Sequence, residues 1–136
     1  MIRLSAFSDE AGNSLKEQIE ALKRNGISYM EIRNVDGVNV QKMTLEQAEE
    51  IQRELEANGI SVWSVGSPLG KVDIAFDFIS YKDKIRHVCE LANIFNTQRI
   101  RMFSFYVPEG KGKEYKGKVF ERLGQFADYA RENNVV

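Results

Sequence analysis

The sequence predicts an α/β fold in which four β-strands alternate with four α-helices. The main observation is a repeated joint. Asn-Gly-Ile-Ser occurs at 25–28 and again at 58–61, each time between an amphipathic helical pattern and an apolar run. Glycine tolerates the left-handed backbone that ends a helix, and the β-branched residue after it favours a strand. A weaker copy, Asn-Asn-Val-Val, stands at 133–136. Strict alternation of strands and helices indicates a parallel sheet with helical crossovers.

Helix caps and apolar periodicity define the first two units. A strand is predicted at 2–7, and a helix that Asn13 or Ser14 can cap runs to about residue 25. A second strand follows at 27–33. After a loop with an Asp-Gly turn signal, Thr44 opens the second helix with a capping-box pattern, because glutamine stands three residues later. The apolar stripes of these two helices are Leu15, Ile19, Leu22, Leu45, Ala48, Ile51 and Leu55.

The third and fourth units repeat this organisation with longer loops. The third has a strand at 60–66 and a helix at about 80–95. The fourth has a strand at 99–106, a loop at 107–116 that is rich in glycine and lysine, and a helix at about 118–132. The side chains expected to face the core from these two helices are Ile85, Val88, Cys89, Ala92, Phe95, Val119, Leu123, Phe126, Ala127 and Ala130.

Two architectures satisfy this alternation: an open doubly wound sheet, and part of a (β/α)8 barrel. Glu31 and Arg33 share one side of the second strand, and Arg101 alternates with apolar residues in the fourth. Helices cover both faces of a doubly wound sheet and would bury these charges, at a cost of several kcal/mol each. The interior of a barrel near its active end accommodates charged side chains. We therefore predict a half-barrel, four of the eight βα units of a parallel (β/α)8 barrel.

Charged residues near the strand ends are the candidate site residues. Alternate strands of a barrel share a layer of its interior, so we expect Glu31 and Arg101 to meet as a pair. The pair either orients a ligand's hydroxyl groups or is a structural ion pair. Asp9 and Glu10 are either a catalytic carboxylate pair or acids that favour the start of a helix. On an extended segment they would point to opposite sides.

Length and composition exclude several function classes. A chain of 136 residues is one domain by size. The net charge of −1 provides no electrostatic footprint for nucleic acid, and no apolar run approaches the roughly 20 residues of a membrane span. The single cysteine, Cys89, forms no internal disulfide, which fits a reducing cytoplasm. The only histidine, His87, lies mid-helix, so a zinc site has no ligand set.

A lysine-rich segment has the spacing of a phosphate-binding loop. Residues 112–118 follow the Gly-x4-Gly-Lys pattern between a strand and a helix. Val119 stands where serine or threonine would hold magnesium, and the pattern normally follows the first strand. The alternatives are a nucleotide site, a mobile lid that meets a substrate phosphate, and a solvated loop.

Four segments, in their order and spacing, resemble the sugar phosphate isomerase/epimerase group, the xylose-isomerase-like TIM barrels. They are Leu-Ser-Ala-Phe-Ser-Asp-Glu at 4–10, Tyr-Met-Glu-Ile-Arg at 29–33, Asn-Gly-Ile-Ser-Val at 58–62 and Arg-Ile-Arg-Met-Phe-Ser at 99–104. The resemblance covers the whole chain but only the N-terminal half of the family's domain. We therefore expect residues 1–136 to be a single domain that ends at the start of the fifth strand.

The resemblance implies an enzyme that uses a divalent metal to move a proton between adjacent carbons of a sugar or polyol. In the family the metal ligands lie on the fifth to eighth strands, so no metal ligand and no catalytic residue is assigned in this chain. Trp63 is then either a core residue or a hydrophobic wall for a sugar ring. The resemblance and the position at strand ends assign substrate binding to Glu10, Glu31, Arg33, Ser67, Arg101 and Ser104.

Two functional hypotheses follow. In the first, the chain belongs to a cytoplasmic isomerase or epimerase that acts on a small sugar or sugar phosphate, and this half alone is inactive. In the second, it is a non-catalytic half-barrel, a fragment or an engineered unit that associates with itself. Because the outer edges of the first and fourth strands are unpaired, two copies could close a pseudo-barrel as a homodimer. Neither hypothesis includes nucleic acid or a membrane as a partner.

Overall fold

The computed structural model describes residues 2–135, which form a parallel sheet covered by helices. The strands are β1 (Ser5–Ala6), β2 (Tyr29–Ile32), β3 (Asn34–Val35), β4 (Val38–Asn39), β5 (Ser61–Gly66) and β6 (Ile100–Arg101). Four of them make the parallel sheet, in the spatial order β1-β2-β5-β6. A doubly wound sheet reverses its strand order at a switch point, whereas a barrel places each strand beside the preceding one. The predicted half-barrel is therefore confirmed.

One helix follows each strand of the parallel sheet, in the predicted alternation. The helices are α1 (Leu15–Arg24), α2 (Leu45–Ala57), α3 (Phe78–Ile94) and α4 (Gly112–Glu132). Both predicted caps are confirmed, because the side chains of Ser14 and Thr44 accept the N–H groups of Glu17 and Gln47 at 3.2 and 3.1 Å. Within the described residues, none of these helices is both long and apolar enough to cross a membrane.

All four helices of the described chain end in the same backbone motif. A residue with φ between 53° and 70° follows each helix, and the N–H after it donates to the carbonyl five residues back, at 2.9–3.0 Å. The left-handed residues are Gly26, Gly59, Asn96 and Asn134. The joints predicted from the repeated sequence are therefore confirmed. The third unit uses the same motif at Asn96, where the sequence pattern had not marked it. Glycine and asparagine enter this conformation at the lowest cost.

The core lies between the sheet and the helices. Met30 and Ile32 of β2 are buried on this side, whereas Tyr29 and Glu31 alternate with them and are only half-buried. This alternation is the one predicted from the charges of the second strand. The helical residues buried against the sheet include Ile19, Leu22, Ala48, Leu55, Ile85, Val88, Cys89, Ala92 and Phe95.

The loop after β2 contains a short hairpin. β3 and β4 pair antiparallel around the predicted turn, where Asp36 and Gly37 have φ of 52° and 76°. Two consecutive positive φ values are typical of the hairpin turn for which Asp-Gly is a favoured sequence. The sequence predicted the turn and not the hairpin, because β3 and β4 have only two residues each.

The fourth strand is shorter than predicted. β6 has two residues instead of a strand at 99–106, because the segment after it pairs with the loop that follows β5. The N–H groups of Phe103 and Phe105 donate to the carbonyls of Leu69 and Gly70 at 2.8 and 3.1 Å. These bonds run between two irregular segments, and Phe105 has a φ of 75°. The predicted strand at 99–106 is therefore confirmed only at Ile100–Arg101 and is wrong for the residues that follow.

Helix α4 differs from its prediction at its start and on its buried face. It begins at Gly112, six residues before the predicted start at 118, because lysine and glutamate favour a helix between the two glycines of 112–118. A segment in helical conformation does not wrap a phosphate, so the phosphate-loop reading of 112–118 is wrong. Of the residues expected to be buried, Phe126 is buried, whereas Val119 and Leu123 are half-buried and Ala127 is exposed.

Candidate functional site

The carboxyl ends of the parallel strands bring charged side chains to one edge of the sheet. Arg33 follows β2 directly, and Arg101 is the last residue of β6. Asp9 and Glu10 belong to a 3-10 turn, Ser8–Glu10, that follows β1. Parallel strands end at the same edge, so residues from distant parts of the sequence meet there. This is the edge at which barrel enzymes carry their active sites.

Arg33 binds both acidic residues of the first loop. Its Nε and Nη2 lie 2.8 and 3.0 Å from the two carboxylate oxygens of Asp9, and Nη2 also lies 2.8 Å from Glu10 Oε1. Asn34 donates a further hydrogen bond to Asp9 at 2.6 Å. The expectation that Asp9 and Glu10 point to opposite sides is therefore wrong, because the segment is a 3-10 turn and not extended.

The Arg33 network fixes the charge of Asp9. The Asp9 side chain is 7% exposed, against 70% for Glu10. Burial acts to raise the pKa of Asp9, but hydrogen bonds from Arg33 and Asn34 outweigh it and lower the pKa below its ordinary value. The same bonds raise the pKa of Arg33. A carboxylate held in this way stays ionised at neutral pH, so this geometry suits a positioning ion pair better than proton transfer.

Glu31 does not pair with Arg101, and this prediction is wrong. Glu31 instead accepts hydrogen bonds from the hydroxyls of Ser5 and Ser64, at 2.7 and 3.1 Å. The strand register is the reason. Glu31 is level with Ser64 on β5, whereas Arg101 is level with Gly66, two residues nearer the strand ends. The two charges therefore lie in different layers of the barrel interior.

Arg101 has an aromatic and partly desolvated environment. Its guanidinium carbon lies 5.4 Å from the ring centre of Phe7 and 4.7 Å from that of Phe103. Nη2 donates to the carbonyl of Gly66 at 3.1 Å, whereas the buried Nε has no hydrogen-bond partner among the described residues. Burial, followed by the positive charge of Arg33, lowers the pKa of Arg101. Arginine nevertheless remains protonated, so the side chain presents unused donors to the strand ends.

The two predicted serines have different surroundings. Ser67 is fully buried, and its hydroxyl donates to the carbonyl of Arg101 at 2.8 Å. This bond ties the loop after β5 to the end of β6. Ser104 is exposed in the segment after β6. Lys71, from the same loop as Ser67, extends over the ring of Phe103, with Nζ 4.5 Å from the ring centre.

Trp63 and His87 have structural contacts away from this edge. Trp63 is half-buried early in β5, with its ring 5.6 Å from that of Tyr29, edge to face, and 4.0 Å from the guanidinium carbon of Arg99. His87 donates from Nε2 to the carbonyl of Met43 at 2.9 Å and so joins α3 to the segment before α2. Cation–π and packing contacts account for Trp63 without a ligand.

The described residues do not fit the divalent metal that the resemblance implies. Within 2–135, no group of three or more His, Cys, Asp or Glu side chains is arranged to hold a metal ion. The carboxylates nearest the strand ends are already engaged, Asp9 and Glu10 by Arg33 and Glu31 by two serine hydroxyls. A hard divalent cation needs several free oxygen ligands at one point, so we derive no chemical step through a metal here.

Sequence reasoning missed three side chains at this edge. The rings of Phe7 and Phe103 lie against the guanidinium of Arg101, and the ammonium of Lys71 lies over the ring of Phe103. The strand alternation carried a signal for the two aromatic residues, because Phe7 shares the parity of Ser5, and Phe103 that of Arg101. Lys71 lies in an irregular loop, where no periodicity distinguishes it from a surface lysine.

Comparison with known proteins identifies the fold. No protein-family model and no curated protein matches the sequence. Among solved structures, the chain is similar to the probable 3-DHS dehydratase AsbF from Bacillus anthracis, with a TM-score of 0.76 and 18% identity. It is also similar to a D-psicose 3-epimerase and to a xylose isomerase-like TIM barrel protein from Mycobacterium smegmatis, with TM-scores of 0.69 and 0.64 and 13% identity each.

These three alignments cover 98% of this chain and 50–52% of the chains they match, so the protein spans about half the length of these structures. The strand order and the helical crossovers agree with this match. The described chain therefore has the fold of the N-terminal half of a xylose isomerase-like TIM barrel.

Proposed function

We propose that the chain is the substrate-binding half of a sugar or sugar-phosphate isomerase or epimerase. The observation that carries the proposal is the convergence of Arg33, Arg101 and their partners at the carboxyl edge of a barrel-type sheet. Two of the similar structures are a D-psicose 3-epimerase with D-fructose and a TIM barrel protein with magnesium, which supports a sugar substrate and a divalent metal. In this proposal residues 1–136 are one domain, and the metal and its catalytic carboxylates come from outside 2–135.

The proposal gives each predicted site residue either a binding role or a positioning role. The carboxylate of Glu31 accepts hydrogen bonds from substrate hydroxyls in place of those from the two serines, since a carboxylate can accept from several donors at once. Arg33 and Glu10 position the first loop, and Ser67 positions the backbone of Arg101. Arg101 and the exposed Ser104 donate to substrate oxygens. A cytoplasmic location is part of the proposal, since the single cysteine, Cys89, forms no internal disulfide and so fits a reducing compartment.

Isotope-labelled NMR tests this proposal on the chain itself. Titration with D-fructose and with D-fructose 6-phosphate is expected to shift the amides of Ser67 and Phe103 at the strand ends. The amides of Ser61 and Arg99, at the opposite ends of β5 and β6, serve as the internal control and stay in place. With Mg²⁺ in D₂O, the chain alone is expected to exchange no carbon-bound proton of either sugar. Shifts confined to the control positions, or none at all, would contradict the proposal.

A second candidate function is self-association through the open side of the half-barrel. α4 leaves an apolar cavity of about 150 Å³ between itself, α3 and β6. Leu123 and Ala127 line this cavity, and β1 and β6 each have a neighbour on one side only. A second copy would present the same apolar face and a complementary strand edge.

Light scattering across protein concentration tests the second candidate. We expect a mass near twice 15.6 kDa at high concentration. Ala127→Glu should return the chain to a monomer, because a charge would enter the apolar contact. Gln125→Glu adds the same charge on the same helix and should leave the dimer intact. A mass of 15.6 kDa at every concentration would eliminate this candidate.

A further inference from the structure

The carboxyl edge contains a small pocket with a pronounced excess of positive charge. The cavity measures about 90 Å³ and is lined by Arg33, Ser67, Lys71, Arg101 and Phe103, among others. A cavity that holds one buried water needs a volume of about 10–15 Å³, so this pocket accommodates a group of several heavy atoms. It is too small for a whole sugar ring together with its hydroxyls, and it suits one end of a ligand.

The positive charges of this pocket are not equally compensated. Arg33 is neutralised by Asp9 and Glu10 through contacts of 2.8–3.0 Å. Arg101 and Lys71 form no salt bridge with the described residues within 4.0 Å. Glu31 lies one layer deeper, where two serine hydroxyls occupy its oxygens. The pocket therefore retains two cations whose charge no neighbouring side chain neutralises by direct contact.

The donors of Arg101 are fixed in position. The guanidinium lies between Phe7 and Phe103, and Nη2 is held by the carbonyl of Gly66. Gly66 makes this approach possible, since a Cβ there would lie 2.8 Å from the Phe7 ring and 3.2 Å from Nη2. One hydrogen bond uses one of five N–H donors, and the buried Nε–H has no partner among the described residues. A planar guanidinium with free donors is suited to bidentate binding of an oxyanion.

We propose that Arg101 and Lys71 form an oxyanion subsite that binds a carboxylate or phosphate group of the substrate. This inference rests on the proposed function and narrows it, because it selects anionic sugars over neutral ones. Arg101 supplies the directional donors, and Lys71 supplies a second charge from the loop after β5. Phe103 lies against both cations, and Ser67 holds the backbone of Arg101. The phosphate or carboxylate is the end of the ligand that enters the pocket.

Calorimetric titration of the 136-residue chain at 0.15 M salt tests the subsite. The probes are D-fructose, D-fructose 6-phosphate, D-glucuronate and inorganic phosphate. We expect at least one anionic sugar to bind about 10- to 100-fold more tightly than D-fructose, as charge-assisted hydrogen bonds allow. D-fructose 6-phosphate and D-glucuronate distinguish the two oxyanions, since tighter binding of the first indicates a phosphate site and tighter binding of the second a carboxylate site.

Three variants complete the experiment. Arg101→Gln should remove the preference for the anionic sugar, so that the anionic sugar and D-fructose bind this variant with affinities within about threefold of each other. Lys71→Gln, at an exposed position that the fold tolerates, should reduce the same preference several-fold. Arg24→Gln removes one positive charge at the far end of α1 and is the matched control, with no expected change.

The outcomes distinguish this inference from the proposed function. Equal affinity for neutral and anionic sugars, or a preference that survives both Arg101→Gln and Lys71→Gln, overturns the subsite and leaves the proposed function standing. Binding of inorganic phosphate that depends on Arg101, with no binding of any sugar, supports the anion subsite and overturns the proposed function.

Discussion

Replacing Phe126 with alanine is expected to destabilise the fold by about 3–5 kcal/mol, the usual range for loss of a buried aromatic ring. Phe126 is 3% exposed and is the buried residue of α4 within the described chain. Its ring centre lies 5.6–6.2 Å from those of Phe76, Phe78, Tyr81 and Phe105. The substitution therefore removes a large buried contact of α4 with α3 and with the loops beside β5 and β6.

Urea denaturation followed by circular dichroism measures this effect. The midpoint should fall, and the melting temperature should decrease by about 10–20 °C for a chain of this length. Phe120→Ala is the matched control, because it removes the same side chain from the same helix at a position that is 62% exposed. Its expected cost is within about 0.5 kcal/mol, as for other surface substitutions. Equal losses in the two variants would show that Phe126 does not anchor α4.

Gly70→Ala is expected to cost about 3–5 kcal/mol for a different reason. Gly70 has a φ of 82°, which costs an alanine about 1–2 kcal/mol. A Cβ at this position would also overlap the carbonyl oxygen of Phe103. Relief of that overlap requires the loop after β5 to separate from the segment after β6, which breaks the bonds from Phe103 to Leu69 and from Phe105 to Gly70.

Gly110→Ala isolates the backbone contribution to this effect. Gly110 has a similar φ of 74°, and a Cβ there would meet nothing within 4 Å. We expect a loss of only about 1–2 kcal/mol, from the positive φ alone. Thermal unfolding of the two variants under the same conditions gives the difference. If Gly70→Ala melts no lower than Gly110→Ala, the two segments are not held together as the hydrogen bonds indicate.

The parts of the fold that were predicted correctly depend on short segments. A capping box needs four consecutive residues, so Ser14 and Thr44 could be recognised as helix caps. The joints at Gly26 and Gly59 are equally local, because one left-handed residue determines where the helix ends. The alternation of these elements was then enough to predict a parallel sheet, and the charges on its strands favoured a barrel.

The incorrect predictions concern contacts between distant residues. Whether Glu31 and Arg101 meet depends on the register of three strands. That register shifts between Met30 and Glu31, and no sequence pattern predicts the shift. The length of β6 depends on a loop about 30 residues earlier in the chain. Ala127 has the correct helical spacing for the core, but spacing does not establish that another element covers that face.

The common ending of the four helices has a consequence for how such a protein can grow. Each ending is specified by a few adjacent residues and closes with its own backbone hydrogen bond, donated by Ile27, Ile60, Thr97 or Val135. The direction in which the chain returns to the sheet is therefore encoded within each strand-helix unit. A gene duplication that copied one strand and helix would also copy the residues that end the helix and start the next strand. Repetition of the unit could therefore extend the barrel without any new type of connection.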